Sequence, residues 1–167
     1  MHKELVTDVL IIGGGGAGAR AAVDAHDAGL NVTMMVKGLL GRSGCSIFAG
    51  NLAYFASDNF KSTPAEERLK RSMTFLAKYT HYLGHQEYMR KASEFMYEEF
   101  FPWLEERGLY MLRKDDGSIV VDIPRGTQAW ATKMGMSGQV IMDLMRKEVF
   151  NRRVPVLEET EIGRAHV

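Results

Sequence analysis

Apolar and polar positions first fall into a clear pattern at Val9-Leu10-Ile11-Ile12, a continuous apolar run with β-branched members that ends in the glycines 13–16. Such a run predicts a strand buried on both faces, at the centre of a parallel sheet. From Gly16 to Ala28 the chain is rich in alanine with scattered polar residues, and Gly29 stands where a helix C-cap belongs, so a short helix is expected. Asn31 to Lys37 restores strand character. Strand, helix and strand together fill the roughly 30 residues of a βαβ unit.

Residues 38–51 mix Gly, Ser, Arg and Cys with apolar interruptions, which reads as an ordered loop long enough to wrap a ligand. Ser62-Thr63-Pro64 followed by Glu66 and Glu67 marks a helix start. Helical patterning then runs in pieces to Arg107, divided at Gly84 and Pro102 and capped by Gly108. The apolar stretches Leu109–Leu112 and Ile119–Val121 flank Asp115-Asp116-Gly117-Ser118, predicting a hairpin over 109–123. Ser137 is positioned to cap a helix ending near Asn151, and Val154 to Leu157 reads as a further strand. No internal repeat interrupts this order. The fold class is α/β: a βαβ unit with an inserted helical segment and a hairpin.

Composition narrows the function classes. The chain has 167 residues, 46% of them hydrophobic, enough for a globular core. Lys plus Arg and Asp plus Glu are equal at 21 each, so no global field would hold nucleic acid, which is not an expected partner. Cys45 is the single cysteine, which excludes a disulfide within the chain and fits a reducing, cytoplasmic setting. The N-terminus has no signal-peptide pattern, and no window reaches the roughly 18 to 20 apolar residues of a membrane span.

The candidate chemistry sits at the first glycine turn. Gly13-Gly14-Gly15-Gly16-Ala17-Gly18 satisfies G-x-G-x-x-G directly after one strand and directly before one helix. In that setting Gly13 permits the tight turn, Gly15 lets backbone N–H groups approach a pyrophosphate, and Gly18 allows close helix–sheet contact. The helix N-terminus supplies the positive end. The bland alternative is a glycine-rich turn with no ligand. The motif alone does not choose among NAD, NADP and FAD. Lys37, at the end of the second strand where an acid often accepts ribose hydroxyls, points with Arg42 toward the 2′-phosphate of NADP, although a lysine also donates to ribose oxygens.

The stretches Gly13 to Ala22, Ala28 to Val32, Val36-Lys37 and Gly41-Arg42-Ser43-Gly44-Cys45-Ser46 through Gly50-Asn51 resemble the succinate dehydrogenase and fumarate reductase flavoprotein family, which includes L-aspartate oxidase and the adenylylsulfate reductase flavoprotein. Trp103 to Gly108 and Asp115 to Ile119 resemble that family more loosely. The resemblance implies a Rossmann-like FAD-binding fold, with a lysine at the position of Lys37, and so replaces NADP by FAD. It implies cofactor binding by Gly13, Gly15, Gly16, Ala17 and Gly18 at the pyrophosphate turn, and a flavin loop over 38–56 in which Ser43, Gly44, Cys45 and Ser46 are the candidates for the isoalloxazine side and Gly50 is a further cofactor-binding residue. Respiratory members attach FAD through a histidine directly after the Arg-Ser pair, where this chain has Gly44, so non-covalent FAD is expected. Cys45 reads as a small apolar filler of a buried loop rather than a thioether site.

The same resemblance implies an oxidoreductase that passes a hydride between flavin and a small carboxylic acid, with an iron–sulfur electron-transfer subunit as partner and, through it, a peripheral place at the inner face of a membrane. The family's substrate-binding and proton-shuttling residues match no position here and are expected beyond residue 167, which makes this an incomplete FAD-binding domain over 1–160. The residues Glu161-Ile162-Gly163-Arg164-Ala165-His166-Val167 fit the translation GAG ATC GGA AGA GCA CAC GTC, the start of a common sequencing adapter, and are expected to be a non-native tail. Two readings compete with the flavoenzyme: an NADP-binding reductase domain, and a non-catalytic flavin module that senses redox state through Cys45.

Weaker signals have bland readings. His81 and His85 have metal-ligand spacing on an expected helix but no third ligand, so a solvated helix face is expected. Met134, Met136, Met142 and Met145 read as adaptable core, and Arg125 and Lys133 as surface charges. Glu66 and Glu67 with Arg68, Lys70 and Arg71 read as a solvated face carrying short-range pairs.

Overall fold

Three short parallel strands form the sheet that the first apolar run begins. The computed structural model describes residues 4–49, 64–109, 115, 137–161 and 163. The expected hairpin lies outside the described residues apart from Leu109 and Asp115, as do Met134, Met136, Arg125, Lys133 and Gly50. The chain divides into two units, residues 1–49 with 138–167, and residues 50–137.

In the first unit, β1 (Val9–Ile12) pairs in parallel with β2 (Val32–Met35), Val9 opposite Val32 and Ile12 opposite Met35. The connecting helix α1 (Gly16–Asp27) packs on both strands through Ala19, Ala22 and Val23, none of which is exposed. Three small residues let the helix axis lie close to the sheet. Its end is set by Gly29 at φ +84°, where the Gly29 and Leu30 N–H groups return to the His26 and Ala25 carbonyls. β3 (Val156–Leu157) adds to the far side of β2 in parallel.

The strand order β1-β2-β3 corrects one expectation. Among the described strands β2 is central and β1 lies at an edge. Ile11 is buried, whereas Leu10 and Ile12 on the opposite face are 49% and 64% exposed. An unbroken apolar run therefore has one covered face here, because α1 covers only one side of the sheet.

The helix α5 (Ser137–Asn151) has the bounds expected from its pattern. Ile141, Met142, Met145 and Val149 form its buried stripe, so Met142 and Met145 are core, as expected. It runs in the same sense as α1. Met142 Sδ lies beside Gly16 at one end, and Arg152, just past the other end, reaches Asp27. Arg152 Nε and Nη2 donate to Asp27 Oδ1 and Oδ2 at 2.6 and 2.8 Å, and Nη1 donates to Glu148 Oε2 at 2.8 Å.

The described residues of the second unit are mostly helical. α2 (Ala65–Tyr79) begins after Pro64, with Glu66 and Glu67 in its first turn, and Glu67 pairs with Arg71 on an exposed face. α3 (Gln86–Phe95) continues through a π-helical turn, Met96–Phe100, into α4 (Phe101–Glu106). Gly84 does separate two helices. Pro102 does not break the chain: Phe100 keeps helical torsions, and the wider π turn precedes the proline, whose missing N–H falls in the first turn of α4. Gly108, at φ +86°, ends α4 as expected. His81 and His85 do not share a helix. His81 lies in the turn at φ 50°, and His85 Nδ1 caps α3 by accepting from the Tyr88 N–H at 3.1 Å.

Candidate dinucleotide site

The glycine turn joins β1 to α1 and stands at the C-terminal end of the parallel strands, where α/β sheets place ligands. The Gly13 N–H donates to the Met35 carbonyl at 2.8 Å, continuing the β1–β2 ladder into the turn. Gly13 then takes φ +109°, a torsion that favours glycine, and a side chain there would project into open space. Gly18 is fixed by contact. A Cβ at that position would lie 2.1 Å from the Gly13 carbonyl oxygen, so only glycine permits α1 to approach the turn this closely.

Gly14, outside the expected set, is also closely packed, though against side chains: a Cβ there would lie 2.8 Å from Val36 Cγ1 and 3.1 Å from Leu40 Cδ1. The x position of G-x-G-x-x-G carries no requirement in the motif, so only the packing of Val36 and Leu40 reveals it. Beyond Gly15 the first turn of α1 starts, and the N–H groups of Gly16, Ala17 and Gly18 have no acceptor one turn earlier in the helix.

The loop that follows β2 folds back onto this turn. The Gly41 N–H donates to the Gly14 carbonyl at 3.1 Å, and Ser46 Oγ accepts from the Gly16 N–H at 3.1 Å. Ser46 sits on a short 3-10 turn, Cys45–Phe48, that begins after Gly44 at φ +97°. Ser43 Oγ donates to the Leu39 carbonyl at 3.1 Å, and it lies where a Cβ on Gly38 would intrude at 2.6 Å. Far along the chain, Glu158 Oε1 accepts from the Leu40 N–H at 2.9 Å, and the Thr160 N–H donates to the Val36 carbonyl at 3.0 Å. Glu158 was invisible to local patterning because it acts across 118 residues.

Between turn and loop opens a cleft lined by Gly13, Gly14, Gly15, Val36, Lys37, Gly38, Ser43 and Gly44. A smaller cavity beside it is lined by Ile12, Gly13, Met35, Lys37, Thr160 and Glu161. Lys37 lines both and is exposed. No carboxylate lines the main cleft among the described residues, and the exposed Lys37 ammonium stands on its wall, while the Ser43 hydroxyl there already donates to the Leu39 carbonyl. With the positive end of α1 alongside, the lysine suits an anionic diphosphate.

Two expectations change. Arg42 is not among the residues lining the cleft, and its guanidinium pairs with Asp143 on α5. Cys45 is exposed and is not a buried apolar filler, since the 3-10 turn presents it outward. The remaining expected residues, Gly13, Gly15, Gly16, Ala17, Gly18, Lys37, Ser43, Gly44 and Ser46, are gathered along the turn, the first helical turn and the facing loop.

Comparison with known proteins identifies relatives of the chain and of its fold. An uncharacterised FAD-dependent oxidoreductase of Methanocaldococcus jannaschii is 52% identical over 58 residues, which cover 33% of this chain and 10% of that protein. The Sdh1 complex of Mycobacterium smegmatis superposes with a TM-score of 0.73 at 20% identity over 93% of this chain and 28% of its own. The E. coli quinol fumarate reductase FrdA gives 0.73 at 21% identity over 92% and 26%. Adenylylsulfate reductase from Archaeoglobus fulgidus gives 0.61 at 24% identity over 93% and 24%. The chain thus spans about a tenth of the curated relative and about a quarter of each solved structure, with which it shares the fold. The FAD binding domain family matches residues 8–164, nearly the whole chain, and the protein belongs to that family.

Proposed function

We propose that this chain is the FAD-holding portion of a flavoprotein oxidoreductase of the fumarate reductase and succinate dehydrogenase type. The observation that carries this reading is the junction of the glycine turn with the loop after β2, where Ser46 Oγ meets the Gly16 N–H on the border of the cleft. Gly13, Gly15, Gly16, Ala17 and Gly18 receive the pyrophosphate, with the α1 N-terminus supplying positive potential. Lys37, exposed at the end of β2, donates to ribose oxygens. Ser43, Gly44, Cys45 and Ser46 flank the isoalloxazine.

The flavin, when bound, supplies the atom N5 that exchanges a hydride with substrate. This chain's residues hold and orient it. The FAD is non-covalent in this reading, since Gly44, directly after Arg42-Ser43, offers no nucleophile. The substrate of the full-length protein is a small carboxylic acid, its electron partner an iron–sulfur subunit, and its location cytoplasmic, peripheral to a membrane through that subunit. Among the described residues no helix is long and apolar enough to cross a membrane.

The discriminating experiment is a titration of the full-length apoprotein with FAD and with NADPH. Saturable binding of FAD without competition by NADPH supports this reading. Preferential binding of NADPH overturns it.

A further inference from the structure

The loop that borders the cleft is held from behind by α5, at close backbone contacts and an ion pair. The Gly138 N–H donates to the Ala49 carbonyl at 2.7 Å. A Cβ on Gly138 would lie 2.3 Å from the Ser46 carbonyl oxygen and 2.7 Å from the Ala49 nitrogen, both backbone atoms. A clash with a flexible side-chain tip is relieved by rotation, whereas this one is relieved only by moving backbone, either the 3-10 turn that carries Ser46 or the start of α5 that seats against it. One helical turn and a half farther on, the Asp143 carboxylate pairs with Arg42 at the near end of the same loop. Gly41, at φ +68°, brings its backbone close to Met142, such that a Cβ there would lie 3.0 Å from the Met142 carbonyl oxygen. The loop is thus pinned to α5 at its start and at its end, and its Ser46 hydroxyl is what meets the first turn of α1.

We propose that Gly138 and Asp143 are positioning residues for the dinucleotide site. They hold the loop against the α1 N-terminus and so set the width of the cleft in which the cofactor lies. Neither residue lines the cleft. Gly138 acts by the side chain it lacks, which allows the helix backbone to seat on Ser46 and Ala49. Asp143 acts through Arg42, keeping that guanidinium turned away from the phosphates. The inference rests on the FAD reading of the cleft, because a loop position has a functional readout only if a ligand lies beside it.

The test uses the full-length protein and FAD, with Gly138→Ala, Asp143→Asn, Arg42→Asp and the exchanged pair Arg42→Asp with Asp143→Arg. FAD affinity is read by flavin fluorescence, the environment of the bound ring by visible circular dichroism, and folding by far-UV circular dichroism and thermal midpoint. Gly138→Ala is expected to weaken FAD binding by about tenfold or more and to change the visible flavin band. Asp143→Asn and Arg42→Asp are expected to weaken binding with little change in thermal midpoint, since exposed ion pairs contribute little to stability. The exchanged pair is expected to recover affinity relative to Arg42→Asp alone. A folded Gly138→Ala protein with unaltered FAD affinity and flavin spectrum would overturn the proposal. If Gly138→Ala does not fold, the ion-pair series decides, and an exchanged pair no better than Arg42→Asp overturns it. Absence of FAD binding by the unsubstituted protein instead removes the FAD reading itself, and the positioning role with it.

Discussion

Ser46 Oγ accepts a hydrogen bond from the Gly16 N–H at 3.1 Å across 30 residues of sequence, so the loop after β2 supplies the N-terminal cap that α1 lacks locally. The local N-cap position is Gly15, which has no side chain with which to bond the helix. The capping function falls instead to a serine on the facing loop, and in the proposed FAD reading a glycine at position 15 leaves room for a phosphate to approach.

Replacing Ser46 by alanine should therefore act on both the fold and the site. Loss of this cap is expected to cost about 1 kcal/mol of stability, the usual magnitude for a removed N-cap acceptor. Urea unfolding of apo protein measures that cost, and FAD titration should show weaker binding in the same variant. Unchanged values in both would mean that the contact carries no free energy.

Gly18 and Gly29 separate two reasons for glycine. Gly18→Ala places a Cβ 2.1 Å from a backbone oxygen and is expected to lose about 3 kcal/mol or more, because α1 must move off β1. Gly29→Ala meets open space, and its cost comes from the φ of +84° alone, about 1 to 2 kcal/mol. Denaturant midpoints should rank Gly18→Ala well below Gly29→Ala.

Stability should also depend on pH through Asp27. The Arg152 guanidinium, bonded to both carboxylate oxygens, holds the Asp27 carboxyl below its ordinary value of 3.8, partly offset by desolvation and helped further by His26. A depressed folded-state pKa means that this contribution is fully present above the ordinary value and is lost as pH falls through the folded one. Asp27 is 49% exposed, so the effect should stay below about 1 kcal/mol. Asp27→Asn should unfold more easily than the unsubstituted protein at neutral pH, and the difference should close in acid below the folded pKa.

Cys45 is exposed beside Gly44, which lines the cleft. Thiol-reactive dye should label the apoprotein readily, and FAD should slow the labelling if the isoalloxazine lies along this part of the loop. Equal rates with and without FAD would place the ring elsewhere.

The parts of this fold that were legible in the sequence are those fixed by neighbours along the chain. β1, α1 and the glycine cap after it follow from a short apolar run, alanines at packing positions and Gly29. α5 matched its expected bounds because a stripe of apolar residues has one period and one stop. What local pattern could not supply was coverage and distant partnership. Nothing in Val9 to Ile12 says that Leu10 and Ile12 face away from α1, and nothing near Leu40 announces Glu158. Ser46 was singled out through family resemblance as a candidate for the flavin loop, while its service to Gly16 needed the folded loop. Nothing near Arg42 announces Asp143, about a hundred residues later in sequence, as the partner of its guanidinium.

The most direct test of non-covalent FAD binding is acid precipitation of the purified full-length protein, followed by absorption spectroscopy of supernatant and pellet. The expected result is a yellow supernatant containing FAD and a colourless pellet. Flavin retained in the pellet would contradict the non-covalent reading at Gly44, and a well-folded protein with no flavin in either fraction, and none taken up on titration, would contradict FAD binding itself.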